Sequence, residues 1–184
     1  MAIPFEAYTE SGRLDGRVVA DERLGDLLAT FTSIVVEQPH LLPIADPRAA
    51  PPPGQALDGT WSSIDVDDLL IVAAGSESTL PFPAAWHPIR LFVGPYVVEG
   101  EMSSLPGFDP DRALVRPTGT FVLLGHVQIF LAAAGQGAPA GVVRELSLAW
   151  VNRYDVERVE SDLELSRFFP GATCETPREM ILAR

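Results

Sequence analysis

The side chains of this chain that could do chemistry are three histidines, a run of aspartates and one cysteine. Two histidines and a carboxylate can hold a transition metal. His40, His87 and His126 show no H-x-H or H-x-x-x-H spacing, so they read as ordinary strand or linker residues. Asp65, Asp67 and Asp68 could coordinate a hard cation, but a calcium loop also needs a central glycine and a bidentate glutamate, and neither is there. The three carboxylates therefore read as the crown of a solvent-facing turn. Cys174 beside Arg178 could be a nucleophile, yet it has no histidine near it in sequence. Ser62 and Ser63 lie on a strand pattern and not in a nucleophile elbow, and the glycines of 135–141 do not form a phosphate loop. The expectation is no catalytic, cofactor or metal site. Trp61, Trp86, Phe92 and Trp150 could line a ligand groove, though packing in a core or between units is the plainer role.

The elements that must position these residues are short and repeat. Ile64-Asp65-Val66-Asp67-Asp68-Leu69-Leu70-Ile71-Val72 reads as a strand end, a polar turn and an apolar strand. Val151-Asn152-Arg153-Tyr154-Asp155-Val156-Glu157-Arg158-Val159 repeats it, with Asp68 over Asp155 and Val72 over Val159. The rest of each half follows one order. Residues 3–10 alternate with period two, and 13–20 form a second strand bent at Gly16. Leu24, Leu27 and Leu28 at i, i+3, i+4 predict a short helix over 21–29 with Asp21 as N-cap. A strand opens at Phe31 and runs past Pro39 to Ile44, and 45–55, with four prolines, is a loop. Trp61–Asp65 and Leu69–Ala73 close the half. In the second half 90–93, 96–103 with Gly100 at its centre, a helix over 109–115, 121–131, a loop at 135–141, 145–152 and 156–160 answer these in turn.

The predicted fold is therefore mainly β: two tandem small β barrels of SH3-like or Sm-like outline, each with one short helix, plus a C-terminal helical tail. The boundaries are 1–74, a linker at 75–88, 89–162 and a tail at 163–184. In the tail, Thr176-Pro177-Arg178-Glu179 has the chemistry of a helix start, followed by the apolar Met180, Ile181 and Leu182.

Composition excludes several classes. The 184 residues are 47% hydrophobic, enough for a packed core, and 17 prolines with 15 glycines favour many short elements. The net charge is −12, and all 13 basic residues are arginine. No basic cluster exists to neutralise a phosphate backbone, so nucleic acid is not the expected partner. No apolar run is long enough for a membrane helix and no secretory leader is visible, which makes a cytoplasmic location the expectation. A lone cysteine cannot make an internal disulfide.

The string Arg23-Leu24-Gly25-Asp26-Leu27-Leu28, a strand opening at Phe31 and the ending Val151-Asn152-Arg153 through Val159 resemble a bacterial domain family of uncharacterised function. That family shows an RLSDLLN helix, an F-L-x-L-T-D strand and a V-N-R-x-x-I-x-x-V ending. The second half departs from it in the helix, with Arg112-Ala113-Leu114, and the first half lacks the Asn-Arg pair. The resemblance covers roughly 5–162 and implies no activity.

The functional expectation is a non-enzymatic structural or assembly protein. Open barrels expose strand edges, and edge pairing builds oligomers. The expected partners are copies of the same chain or another protein, with Trp86, Met180, Ile181 and Leu182 as interface residues. The alternatives are a regulatory module that binds a small ligand between the barrels and, more weakly, a hydrolase with an unrecognised site.

Overall fold

The computed structural model describes residues 2–44, 55–56, 60–74, 85–104, 119–132 and 139–176. Within them the fold is mainly β, with one α-helix. In chain order the elements are β1 (Ala2–Thr9), β2 (Gly12–Val19), α1 (Leu24–Thr30), β3 (Ser33–Pro43), β4 (Gln55–Ala56), β5 (Trp61–Asp65), a 3-10 turn (Val66–Asp68) and β6 (Ile71–Ala73). They continue as β7 (Ala85–Val93), β8 (Tyr96–Ser104), β9 (Phe121–Ala132), β10 (Pro139–Asn152), β11 (Val156–Glu160) and β12 (Thr173–Glu175). All twelve strands belong to one open sheet in the order β12-β11-β7-β8-β9-β10-β6-β1-β2-β3-β4, with β5 also on β3.

The pairings repeat. β1 pairs with β2 and β6, β2 with β3, and β3 with β5. Correspondingly β7 pairs with β8 and β11, β8 with β9, and β9 with β10. Register agrees residue by residue. Phe5 faces Gly16 as Ile89 faces Gly100, and Ala7 faces Val72 as Leu91 faces Val159. Both bent strands skip at the same place, between Asp15 and Arg17 and between Glu99 and Glu101. Opposite each skip the partner strand holds a non-glycine residue in the left-handed region: Gln38 at φ 49° and His126 at φ 50°. The closing turns match too. Asp65 Oδ1 accepts from the Asp67 N–H at 3.0 Å, and Asn152 Oδ1 from the Tyr154 N–H at 3.1 Å.

The glycine at each skip is needed for space. A Cβ on Gly16 would lie 2.4 Å from a methyl of Val36. The same Cβ on Gly100 would lie 3.2 Å from the Gly125 carbonyl oxygen.

Buried side chains form two clusters, one per half, and each borrows from the other. Phe5, Leu14, Leu24, Leu28, Val36 and Val66 fill the first, together with Phe121 from β9. Leu91, Val98, Ile129, Val159 and Phe169 fill the second, together with Tyr8, Leu70 and Ile71 from the first half. The halves are joined along the sheet by β6 against β10, with Ile71, Val72 and Ala73 facing Val151, Trp150 and Ala149.

Several expectations need correction. The linker ends sooner than 88, because β7 begins at Ala85 and carries Trp86, His87 and Pro88 as strand residues. Pro88 is tolerated because β11 pairs with β7 only as far as Arg90, so the missing N–H breaks no ladder. α1 starts at Leu24 with Arg23 as its N-cap and no side-chain capping bond, so Asp21 does not cap it. The first tail residues are not helical. Leu165, Phe168 and Phe169 fold back into the second core, and 173–175 form β12. The expected linker at 75–84, the second helix at 109–115 and the tail helix with Met180, Ile181 and Leu182 lie outside the described residues.

Candidate functional site: the open edge of β5

β5 is a short strand between a loop and a turn, and its position in the sheet sets its properties. Its five residues pair with β3 from Ser33↔Asp65 to Glu37↔Trp61. The Gln38 N–H donates to the Thr60 carbonyl and the Val66 N–H to that of Thr32, each at 2.9 Å. Backbone groups alternate in direction along a strand. Ser62 and Ile64 therefore bond towards β3, while the N–H and C=O groups of Trp61, Ser63 and Asp65 point to the other side. No strand pairs there among the described residues. The outward side chains are Trp61, Ser63 and Asp65, all exposed.

The face beside this edge is apolar for an exposed one. Val18 and Val36 face each other across β2 and β3 with their side chains buried, so Val19 and Val35 turn to the opposite face. Val19 is 52% exposed, Val35 51% and Trp61 51%. An unpaired strand edge flanked by exposed valines and a tryptophan is an adhesive surface.

The counterpart edge in the second half is occupied. β10 corresponds to β5, with Trp150 at the place of Ser63, and β6 covers it. The Asn152 N–H donates to the Leu70 carbonyl at 2.9 Å, and the Ala74 N–H to the Leu148 carbonyl at 3.1 Å. Trp150 also packs on α1, where a Cβ on Gly25 would lie 2.7 Å from its ring. A tryptophan does join the halves, but it is Trp150 rather than Trp86.

Trp86 lies within the second half. It faces Ser103, and its ring covers Gly125, where a Cβ would meet it at 2.6 Å. It also packs against the His126 ring at 5.3 Å. The ring is half-buried, so Trp86→Ala is expected to cost about 2 kcal/mol, below the range for an enclosed tryptophan. A thermal melt checks this, and an unchanged midpoint would show that the ring contributes no packing. Phe92 lies under the Arg158 guanidinium at 3.6 Å. The four aromatics are therefore spread over β5, β7 and β10 and share no groove.

The remaining chemical groups are dispersed. His87 Nε2 contacts Ser104 Oγ at 2.8 Å, His126 Nδ1 contacts Glu101 at 2.6 Å, and His40 is exposed on β3. No three His, Cys, Asp or Glu side chains gather among the described residues. Asp65, Asp67 and Asp68 are exposed. Cys174 is exposed on β12, and partial burial together with Glu164 pushes its thiol up, away from the reactive thiolate.

A cleft of about 340 Å³ lies between the halves, lined by Glu10 and Leu70 on one side and Gly94, Tyr154, Asp155 and Pro170 on the other. Burial, then the charges of Asp67 and Glu10, push the Asp155 carboxyl above its ordinary range.

The chain matches no known family model, no curated protein and no solved structure. No helix among the described residues is long and apolar enough to cross a membrane.

Proposed function

We propose that this chain is a non-enzymatic assembly protein, built from two fused small β barrels, that associates with a second copy of itself through β5. The observation that carries this is the β5 edge beside Val19, Val35 and Trp61, which no strand among the described residues pairs. The chain's own architecture says what such an edge takes, since β10 at the corresponding place takes another strand antiparallel. Two β5 edges meeting about a two-fold axis bury both tryptophans and satisfy both rows of backbone groups.

Ser63→Pro tests this. The Ser63 N–H points away from β3, so proline removes a group that only an incoming strand would use. Light scattering across a concentration series is expected to show a wild-type dimer. In Ser63→Pro the dissociation constant should rise at least ~10-fold, the equivalent of one or two lost hydrogen bonds. Equal masses at every concentration would sink the reading.

The second reading is a regulatory module for a small ligand. It is supported by the cleft at Asp155, whose acidic lining would select a cationic molecule. None of the four aromatics that could have lined a ligand groove is among its lining residues.

A further inference from the structure

We propose that β12 is a removable cap on a second assembly edge, that of β11, and that this edge accepts β5 of another copy once the cap lifts. The proposal deepens the self-association reading and rests on it.

The junction between the halves supplies the template. There the last strand of the first half, β6, presents Ile71, Val72 and Ala73 to β10. The register of both halves places Arg158, Val159 and Glu160 of β11 at the equivalent positions. Those three residues face Thr173, Cys174 and Glu175 of β12. The correspondence reaches single hydrogen bonds. At the junction the Ala74 N–H donates to Leu148 O at 3.1 Å; on β11 the matching Ser161 N–H donates to Glu175 O at 3.1 Å.

The other side of the template is present too. Ser62, Ser63 and Ile64 of β5 correspond to Ala149, Trp150 and Val151, the residues that β6 meets. One chain thus carries both members of a contact that it already makes once inside itself. Among the described residues its β5 member is open, and its β11 member is covered by three residues. Transferring the junction register sets Arg158 against Ile64, Val159 against Ser63 and Glu160 against Ser62. Those three pairs set no like charges against each other; the next pair of the same register, which corresponds to Asn152 against Leu70, sets Asp65 against Glu157.

The cap is built to be weak. Its three side chains are all exposed, so it adds nothing to the core. It runs parallel to β11, whereas the junction is antiparallel, and parallel pairing is slightly weaker per residue. The firm hold on this segment is upstream, at Leu165, Phe168 and Phe169. Between anchor and cap sits Gly171 at φ 91°, with nothing within 4 Å of a Cβ built there. The cap can therefore lift while the anchor stays. The outer edge of β5 takes one strand, so pairing with β11 replaces the β5–β5 contact of the dimer; it joins unlike surfaces and so extends head to tail, closing into a ring or continuing as a filament.

Glu175→Pro in the full-length chain tests the cap. Ladder alternation turns the Glu175 N–H towards β11, and proline removes it without touching the core. Circular dichroism confirms folding, and light scattering reads mass. Glu175→Pro is expected to form species larger than the wild-type dimer at equal concentration, and Ser63→Pro added to it should return the mass to monomer. A folded Glu175→Pro of wild-type mass overturns the cap; if Ser63→Pro still breaks the wild-type dimer, the β5 reading survives. Large species that ignore Ser63→Pro overturn the pairing of β5 with β11. Wild type and Glu175→Pro both monomeric would remove both readings. Should Glu175→Pro fail to fold, Thr173→Pro, which removes the other inward N–H of β12, is read the same way.

Discussion

Tyr8→Ala is expected to lower the unfolding free energy by about 4 kcal/mol, because it removes an aromatic ring from the seam between the halves. Tyr8 is on β1, yet its fully buried ring belongs to the second half's core. It meets Tyr96 edge-on, with centroids 5.5 Å apart and planes at 82°, the geometry that aromatic rings prefer. Its hydroxyl donates to Glu6 Oε1 at 2.7 Å, and Glu6 in turn accepts from Arg144 of β10 at 3.1 and 3.0 Å. Tyr96 donates to the Thr9 carbonyl at 3.0 Å. Burial pushes both phenols well above the ordinary tyrosine range, and Glu6 adds to this at Tyr8, so both remain donors. Truncating Tyr8 opens a cavity and leaves the Glu6–Arg144 pair without its buried neighbour. Urea unfolding followed by fluorescence measures the loss. Tyr8→Phe, which keeps the ring, should lose only about 1 kcal/mol. If the alanine variant matched the phenylalanine variant, the ring packing would not hold the seam.

Phe169→Ala should cost about as much, roughly 3–5 kcal/mol, for a different reason. Phe169 is fully buried in the second core beside Leu165 and Phe168. The N–H groups of Phe168 and Phe169 donate to the Leu165 carbonyl at 2.8 and 3.2 Å, which winds the segment into a tight turn. The variant loses the anchor that delivers β12, so amide exchange at Ser161 should speed up along with the fall in stability. A normal melting temperature, or protection at Ser161 equal to wild type, would show that the anchor lies elsewhere.

Local pattern revealed the repeat because its signals are local. A polar turn that carries an Asx side chain between two apolar stretches reads the same at Asp65 and at Asn152, and both make the same bond. Gly16 and Gly100 stood out as glycines inside alternating strands, and each sits where a Cβ would crowd the next strand. The stripe of Leu24, Leu27 and Leu28 gave the helix, and all three are buried.

What stayed hidden depends on distant neighbours. Gln38 and His126 give no hint of left-handed backbone, since that follows from the bulge each one sits in, where two residues of its strand oppose a single glycine of the next. Prolines at 83 and 88 made β7 look like linker, and only the end of its pairing with β11 explains why a strand accepts Pro88. The place of Trp86 within the second half stayed hidden because nothing in Gly125 announces the ring that covers it. β12 is three exposed residues held by backbone bonds alone, and such a strand has no side-chain signature. The bounds of β5 were legible from Trp61 to Asp65. Its being an open edge was not, because edge status belongs to the sheet and not to the strand.

The junction of β6 with β10 also governs how the chain comes off the ribosome. Synthesis runs from the N-terminus, so β1, β2, β3 and β6 are complete while the partner of β6 does not yet exist. At translation speeds of roughly 5–20 residues per second, the Ile71–Ala73 edge waits several seconds before residues 149–151 emerge to cover it. Tyr8 and Ile71 wait as well, since the core they enter belongs to the unmade half. A nascent first half therefore shows two bare edges at once, β5 and β6, on neighbouring chains of a crowded polysome. With β6 only three residues long, the template it offers to a wrong partner is brief.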